Sequence, residues 1–150
     1  MKNAQLAETL EDFALLLELQ GENRFRAASY RRVAQALRTL PEDVAVLARE
    51  HRLREVPGIG EAIERKIEEY LATGKILRYE EARAAVPPGV RALVRVPGLG
   101  PRTVVQIYNV LGISSLEALE EAAHNGRLQR LPGIGPKKEQ AILRAVQGLR

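Results

Sequence analysis

Residues 55–66 read EVPGIGEAIERK, a proline-glycine turn that runs straight into helical spacing of apolar residues. The core of that stretch, Val56-Pro57-Gly58-Ile59-Gly60, returns as Val96-Pro97-Gly98-Leu99-Gly100 and again as Leu131-Pro132-Gly133-Ile134-Gly135. After the first copy the apolar side chains fall at Ile63, Ile67, Tyr70 and Leu71. After the second they fall at Val104, Ile107, Tyr108 and Leu111, the spacing of one helix face. No strand-like alternation persists for more than a few residues. The expected fold is therefore all-α, with short helices joined by Pro/Gly turns and arranged in two small subdomains.

The composition fits that expectation and narrows the chemistry. In 150 residues, 45% are apolar, enough to build a core. Lys and Arg number 23 against 19 Asp and Glu, a net charge of +4, and the isoelectric point near 9.7 tilts the partners mildly toward polyanions. With no cysteine and only two histidines, disulfides, thiol catalysis and Cys/His zinc sites are excluded as organising chemistry. The first residues mix acids with leucines, without the basic segment and apolar core of a secretion signal. No apolar run approaches the roughly 18 residues of a membrane span. A cytoplasmic, reducing location is expected.

Charge also changes along the chain. Residues 1–22 set Lys2 against Glu8, Glu11, Asp12, Glu18 and Glu22, whereas residues 23–40 carry Arg24, Arg26, Arg31, Arg32 and Arg38 and no acid. Two readings stand: antiparallel helices with solvated charged faces, or a dedicated anion-binding face. The segment AAVPPGV at 84–90 marks a joint, because two prolines cannot continue a helix and each pushes its predecessor to extended geometry. It separates an expected domain at 1–84 from one at 85–150.

The repeated turn has its own chemistry. Proline fixes φ, glycine permits tight or left-handed backbone, and the helix that follows begins with N–H groups lacking internal partners. Those groups and the positive end of the helix dipole suit a phosphate oxygen. The bare backbone at Gly58, Gly60, Gly98, Gly100, Gly133 and Gly135 would let a nucleic-acid strand approach, with Ile59, Leu99 and Ile134 as plugs packing each turn onto the core. One such turn most often only connects two helices; three of one layout argue for a shared external ligand. Arg102 and Thr103 after the second turn, and Lys137 and Lys138 after the third, reinforce this, while no G-x-x-x-x-G-K-[ST] string indicates a nucleotide loop.

The repeat resembles the helix-hairpin-helix motif, a DNA-backbone binder without sequence preference. Together with ENRFRAASYRRVAQAL at 22–37 and VPGIGEAIERKIEEYLATGKILRYEE at 56–81, the whole chain resembles the N-terminal part of a bacterial-type family X DNA polymerase. The resemblance implies a small lyase-like domain that holds the 5′ side of a DNA gap, followed by a hairpin-bearing segment that grips duplex. It implies contacts through Asn23, Phe25, Arg26, Arg54, Lys75 and Arg78 as well as the turns. Polymerisation in that family belongs to palm and thumb domains that have no counterpart within these 150 residues.

The same resemblance places Lys66 where lyase-active members carry a Schiff-base lysine. A nucleophilic amine must be neutral, and a free lysine, with a pKa of about 10.4, is protonated at neutral pH. The flanking stripe of Ile63, Ile67 and Tyr70 and the neighbouring cation Arg65 both favour the neutral form; a pairing of Glu69 with Lys66 would oppose it. Where lyase-active relatives carry basic residues for the 5′-phosphate, this chain has Gln20, Gly21 and Ala62, and the family's tyrosine is Phe25. The resemblance also implies that a monovalent cation, Na+ or K+, can sit on the carbonyls of Val94, Val96 and Leu99; no other cofactor is expected. The readings left open are a monomeric DNA-binding part of a repair polymerase acting on gapped or nicked DNA, with or without deoxyribose-phosphate lyase activity, and a free-standing, non-catalytic adaptor.

Overall fold

The structure is a computed structural model that describes residues 1–21 and 24–150; Asn23 lies outside the described residues. Among them all regular structure is helical, as the spacing predicts, and the chain divides into two compact units, Met1–Ala85 and Val86–Arg150.

The first unit holds α1 (Asn3–Leu19), α2 (Arg24–Thr39), α3 (Val44–Arg49), a 3-10 turn at Leu53–Glu55, α4 (Glu61–Thr73) and α5 (Leu77–Ala85). Helix α1 is its axis: Leu6, Leu10, Phe13 and Leu16 are fully buried, and Leu15, Leu17 and Leu19 are buried as well. Such all-round burial belongs to a core helix rather than a surface one. Phe13 stacks on Tyr30 of α2 at 4.9 Å and meets Tyr79 of α5 edge-on at 5.9 Å, while the Tyr79 hydroxyl donates to Asp12 at 2.6 Å. Offset and edge-on ring pairs of this kind add about 0.5–1.5 kcal/mol beyond area burial. The buried Asn3 ties the start of α1 to that of α3, donating to the Glu42 carbonyl at 2.7 Å and accepting from the Val44 N–H at 2.9 Å.

The charge contrast between the first two helices has a structural outcome. Arg31 pairs with Glu18 and Arg38 with Glu11, so seven positions back on α1 match seven forward on α2, the register of antiparallel neighbours. These half-exposed pairs contribute about 0–1 kcal/mol each. They also commit two of the five arginines of residues 23–40 to the protein itself.

The second unit holds α6 (Pro88–Leu93), α7 (Pro101–Leu111), α8 (Leu116–His124), a 3-10 turn at Arg127–Arg130 and α9 (Pro136–Gly148). Val90, Leu93, Val104, Ile107, Leu119, Leu128 and Val146 form its core. The backbone of α6 lies so close to the start of α8 that a methyl at Gly89 would stand 2.1 Å from the Ser114 carbonyl oxygen.

Candidate nucleic-acid interface

The three PG turns have one geometry. In each, the residue before proline accepts a hydrogen bond from the N–H three positions on: Val56 from Ile59 at 3.1 Å, Val96 from Leu99 at 3.0 Å, Leu131 from Ile134 at 3.2 Å. The first glycine is left-handed every time, with φ of 91° at Gly58, 92° at Gly98 and 85° at Gly133. This is a type II turn, with proline at its second position and a residue of positive φ at its third. Ile59, Leu99 and Ile134 are buried, so they do act as plugs.

The second glycine of each turn behaves differently. Gly60, Gly100 and Gly135 cap α4, α7 and α9 in ordinary extended backbone, with φ of −104°, −92° and −94°. A methyl built on any of them meets nothing within 4 Å. Neither conformation nor internal packing therefore asks for glycine. Nor does capping: Asp43 and Ser115 cap α3 and α8 with side-chain oxygens at 2.9 and 3.0 Å, whereas the three glycines offer no side-chain cap. The first helical bonds run from Glu64, Val104 and Glu139 back to the glycine carbonyls. The N–H groups of Glu61 to Ile63, of Arg102 and Thr103, and of Lys137 and Lys138 are left without a helical partner. An open, uncapped, methyl-free helix start occurs three times.

The hairpins are not electrostatically equal. Four residues past the capping glycine, Glu64 bonds Arg54 at 3.1 Å and the buried Glu139 bonds Gln129 at 2.7 Å and the Leu128 N–H at 3.0 Å. Each bridge spans its hairpin between equivalent positions. In the second hairpin the same two positions are Val94 and the buried Val104, so no carboxylate stands there. The first turn of α4 also carries Glu61, paired with Arg65. By contrast the exposed Arg102, Lys137 and Lys138 make no ion pair among the described residues. The second and third hairpins, both in the second unit, thus have cations unpaired among the described residues on the first turns of their second helices, where the first has paired carboxylates. The Val96 carbonyl is engaged by the Leu99 N–H, while those of Val94 and Leu99 accept no backbone N–H in a turn or cap among the described residues.

The first hairpin instead borders a groove of about 330 Å³ against α2, lined by Arg26, Ser29, Tyr30, Gly58, Gly60 and Ala62, among others. Gly58 is where the hairpin touches α2: a methyl there would stand 3.2 Å from Val33 and 3.5 Å from the Arg32 stem. Ser29 and Tyr30 carry no motif signal and were not legible as groove residues. Lys66, one helical turn beyond Ala62, is half-buried and holds its Nζ 6.0 Å from the Tyr30 ring centroid. Two expectations about its surroundings change. Arg65 is neutralised by Glu61, and Glu69 turns away to accept the Leu77 N–H at 2.8 Å, because α5 starts beside the end of α4. Lys75 and Arg78 follow the far end of α4, which at 1.5 Å per residue is about 20 Å from Gly60, so the structure does not gather them at the turn. Arg54 is exposed but engaged by Glu64. Phe25 is 73% exposed. Arg52, bonded to Glu55 and then Glu50, is held above the usual guanidinium range and is committed to those carboxylates.

Residues 1–76 match the family model described as "Helix-hairpin-helix domain", half of the chain, and residues 90–147 match "SAM-like Helix-hairpin-helix tandem". The chain belongs to the helix-hairpin-helix family. It is 33% identical over 97% of its length to "DNA polymerase/3'-5' exonuclease PolX" of Bacillus subtilis (strain 168), spanning 25% of that relative. The resemblance read from the motifs, to the N-terminal helix-hairpin-helix region of a PolX-type protein, holds on these matches. Shorter stretches are similar to "Holliday junction branch migration complex subunit RuvA": 28% identical over 62% of the chain in Acidovorax sp. (strain JS42), and 36% over 47% in Bordetella petrii. They cover 49% and 37% of those relatives. Among the described residues no helix is long and apolar enough to cross a membrane.

Proposed function

We propose that this helix-hairpin-helix chain binds DNA by its backbone, without sequence preference, as the N-terminal part of a family X repair polymerase. The observation that carries this reading is the triple recurrence of a capping glycine that neither packing nor backbone conformation requires, in front of N–H groups with no internal partner. Such groups satisfy phosphate oxygens. The second and third hairpins, with Arg102, Thr103, Lys137 and Lys138, hold duplex. The first hairpin, with Phe25, Arg26 and the nearby Lys66, faces the 5′ side of a gap or nick, with Lys75 and Arg78 contributing positive potential further along the same unit. Na+ or K+ on the Val94, Val96 and Leu99 carbonyls would add positive charge beside a phosphate. Lys66 is the amine positioned to attack a 5′-deoxyribose, and the chain acts as a cytoplasmic monomer in base excision repair.

Fluorescence anisotropy with unrelated duplexes, each continuous, nicked or gapped, at several salt concentrations tests the reading. Affinity should be indifferent to sequence, fall steeply with salt, and be highest for gapped DNA. Strong preference for one sequence, or affinity unchanged by salt, would overturn it.

A further inference from the structure

Aromatic residues are scarce here, and those with described surroundings are mostly spent inside. Phe13, Tyr30 and Tyr79 form the ring cluster of the first unit, and Tyr70 and Tyr108 are half-buried. Phe25 alone of the described aromatics stands exposed, at 73%, on the first turn of α2. Its position is specific. Ser29, four residues on and so on the same helix face, lines the groove of the first hairpin and donates its hydroxyl to the Phe25 carbonyl at 3.0 Å. Arg26, the next residue, lines the groove too. Phe25 thus lies on the part of α2 that borders the groove, whose other wall is formed by Gly58, Gly60, Glu61, Ala62 and Ile63.

We infer that Phe25 is a stacking platform for an unpaired nucleobase of DNA, placed so that the phosphates of the same strand follow the groove between α2 and the first hairpin. This rests on the backbone-binding reading and deepens it by naming the feature that tells a gap from continuous duplex. A paired base has both faces covered by its neighbours and offers a phenyl ring nothing, whereas an unpaired base beside a discontinuity exposes a face. Stacking suits the absence of a hydroxyl at this position: it is tolerant of base identity and needs no hydrogen bond.

The test uses the full chain and two DNAs, a continuous duplex and a gapped duplex with 2-aminopurine at the unpaired position. The unmodified chain should quench the probe on binding. Phe25→Ala should weaken gapped-DNA binding by about tenfold and abolish the quench while leaving duplex affinity unchanged. Phe25→Trp should restore both gap affinity and quench, and Phe25→Leu neither. Equal loss on both DNAs, or rescue by leucine as good as by tryptophan, would overturn the stacking role while leaving backbone binding standing. No binding of either DNA by the unmodified chain would overturn both.

Discussion

The Lys66 ammonium nitrogen lies 6.0 Å from the centroid of the Tyr30 ring, and Tyr30 is among the residues lining the groove beside Gly58 and Gly60. The ring face attracts a cation and so fixes where the amine stands. If the amine attacks a 5′-deoxyribose end, borohydride should trap a covalent adduct on the chain, since reduction turns the imine into a stable amine. Lys66→Ala should lower trapping by about tenfold or more, with stability changed by less than about 1 kcal/mol, as Lys66 makes no ion pair among the described residues. Lys75→Ala should lower it only slightly. Undiminished trapping in Lys66→Ala would assign the chemistry to another amine.

Gly98 and Gly100 differ in backbone geometry, and alanine separates their roles. At Gly98, with φ of 92°, a methyl group should cost about 1–2 kcal/mol of stability. Gly100 is extended with open space around it, so Gly100→Ala should cost less than about 1 kcal/mol yet weaken duplex binding severalfold. Denaturant unfolding and anisotropy on the same preparations check both halves; unweakened binding in Gly100→Ala would move the contact to the arginines of α2.

Glu139 and Glu64 occupy equivalent places with unequal consequences. Removing Glu139 strands the buried Leu128 N–H and breaks the bond from the exposed Gln129 amide, for a cost of about 1–3 kcal/mol. Removing Glu64 breaks a bridge to a largely exposed Arg54 and should cost less than about 1 kcal/mol. It should also free Arg54 and raise DNA affinity, measured by urea midpoints and anisotropy respectively.

Gly89→Ala would drive its methyl into the Ser114 carbonyl at 2.1 Å, which only backbone displacement can relieve. A loss of about 1–3 kcal/mol is expected, read as a lowered urea midpoint for the second unit with the first unaffected.

What could be read from the sequence follows from the range of the forces involved. The three turns were legible because a type II turn is local: proline, left-handed glycine and buried plug are consecutive residues, and they repeat. The all-helical architecture was legible from apolar spacing for the same reason. The Asn3 tether to Glu42 and Val44, the Ser29 and Tyr30 walls of the groove, and the diversion of Glu69 to Leu77 depend on which segments the fold brings together. The fate of the α2 arginines was ambiguous because partner choice between two helices is set by register: Arg31 and Arg38 meet acids of α1, and Arg26 meets the groove.

The glycine caps carry a thermodynamic consequence. A serine or aspartate at Gly60, Gly100 or Gly135 would satisfy a first-turn N–H from within and strengthen the free chain by several tenths of a kcal/mol at each helix, roughly the measured advantage of such caps over glycine. With glycine, those donors stay open to an arriving anion, and only in the folded state. Ligand binding is therefore coupled to unfolding: at about a hundredfold excess over Kd the folded chain gains about 2.7 kcal/mol, and its melting temperature rises with ligand concentration. The same N–H groups cannot serve both intrinsic stability and an external ligand, and the glycines leave them uncommitted to the first.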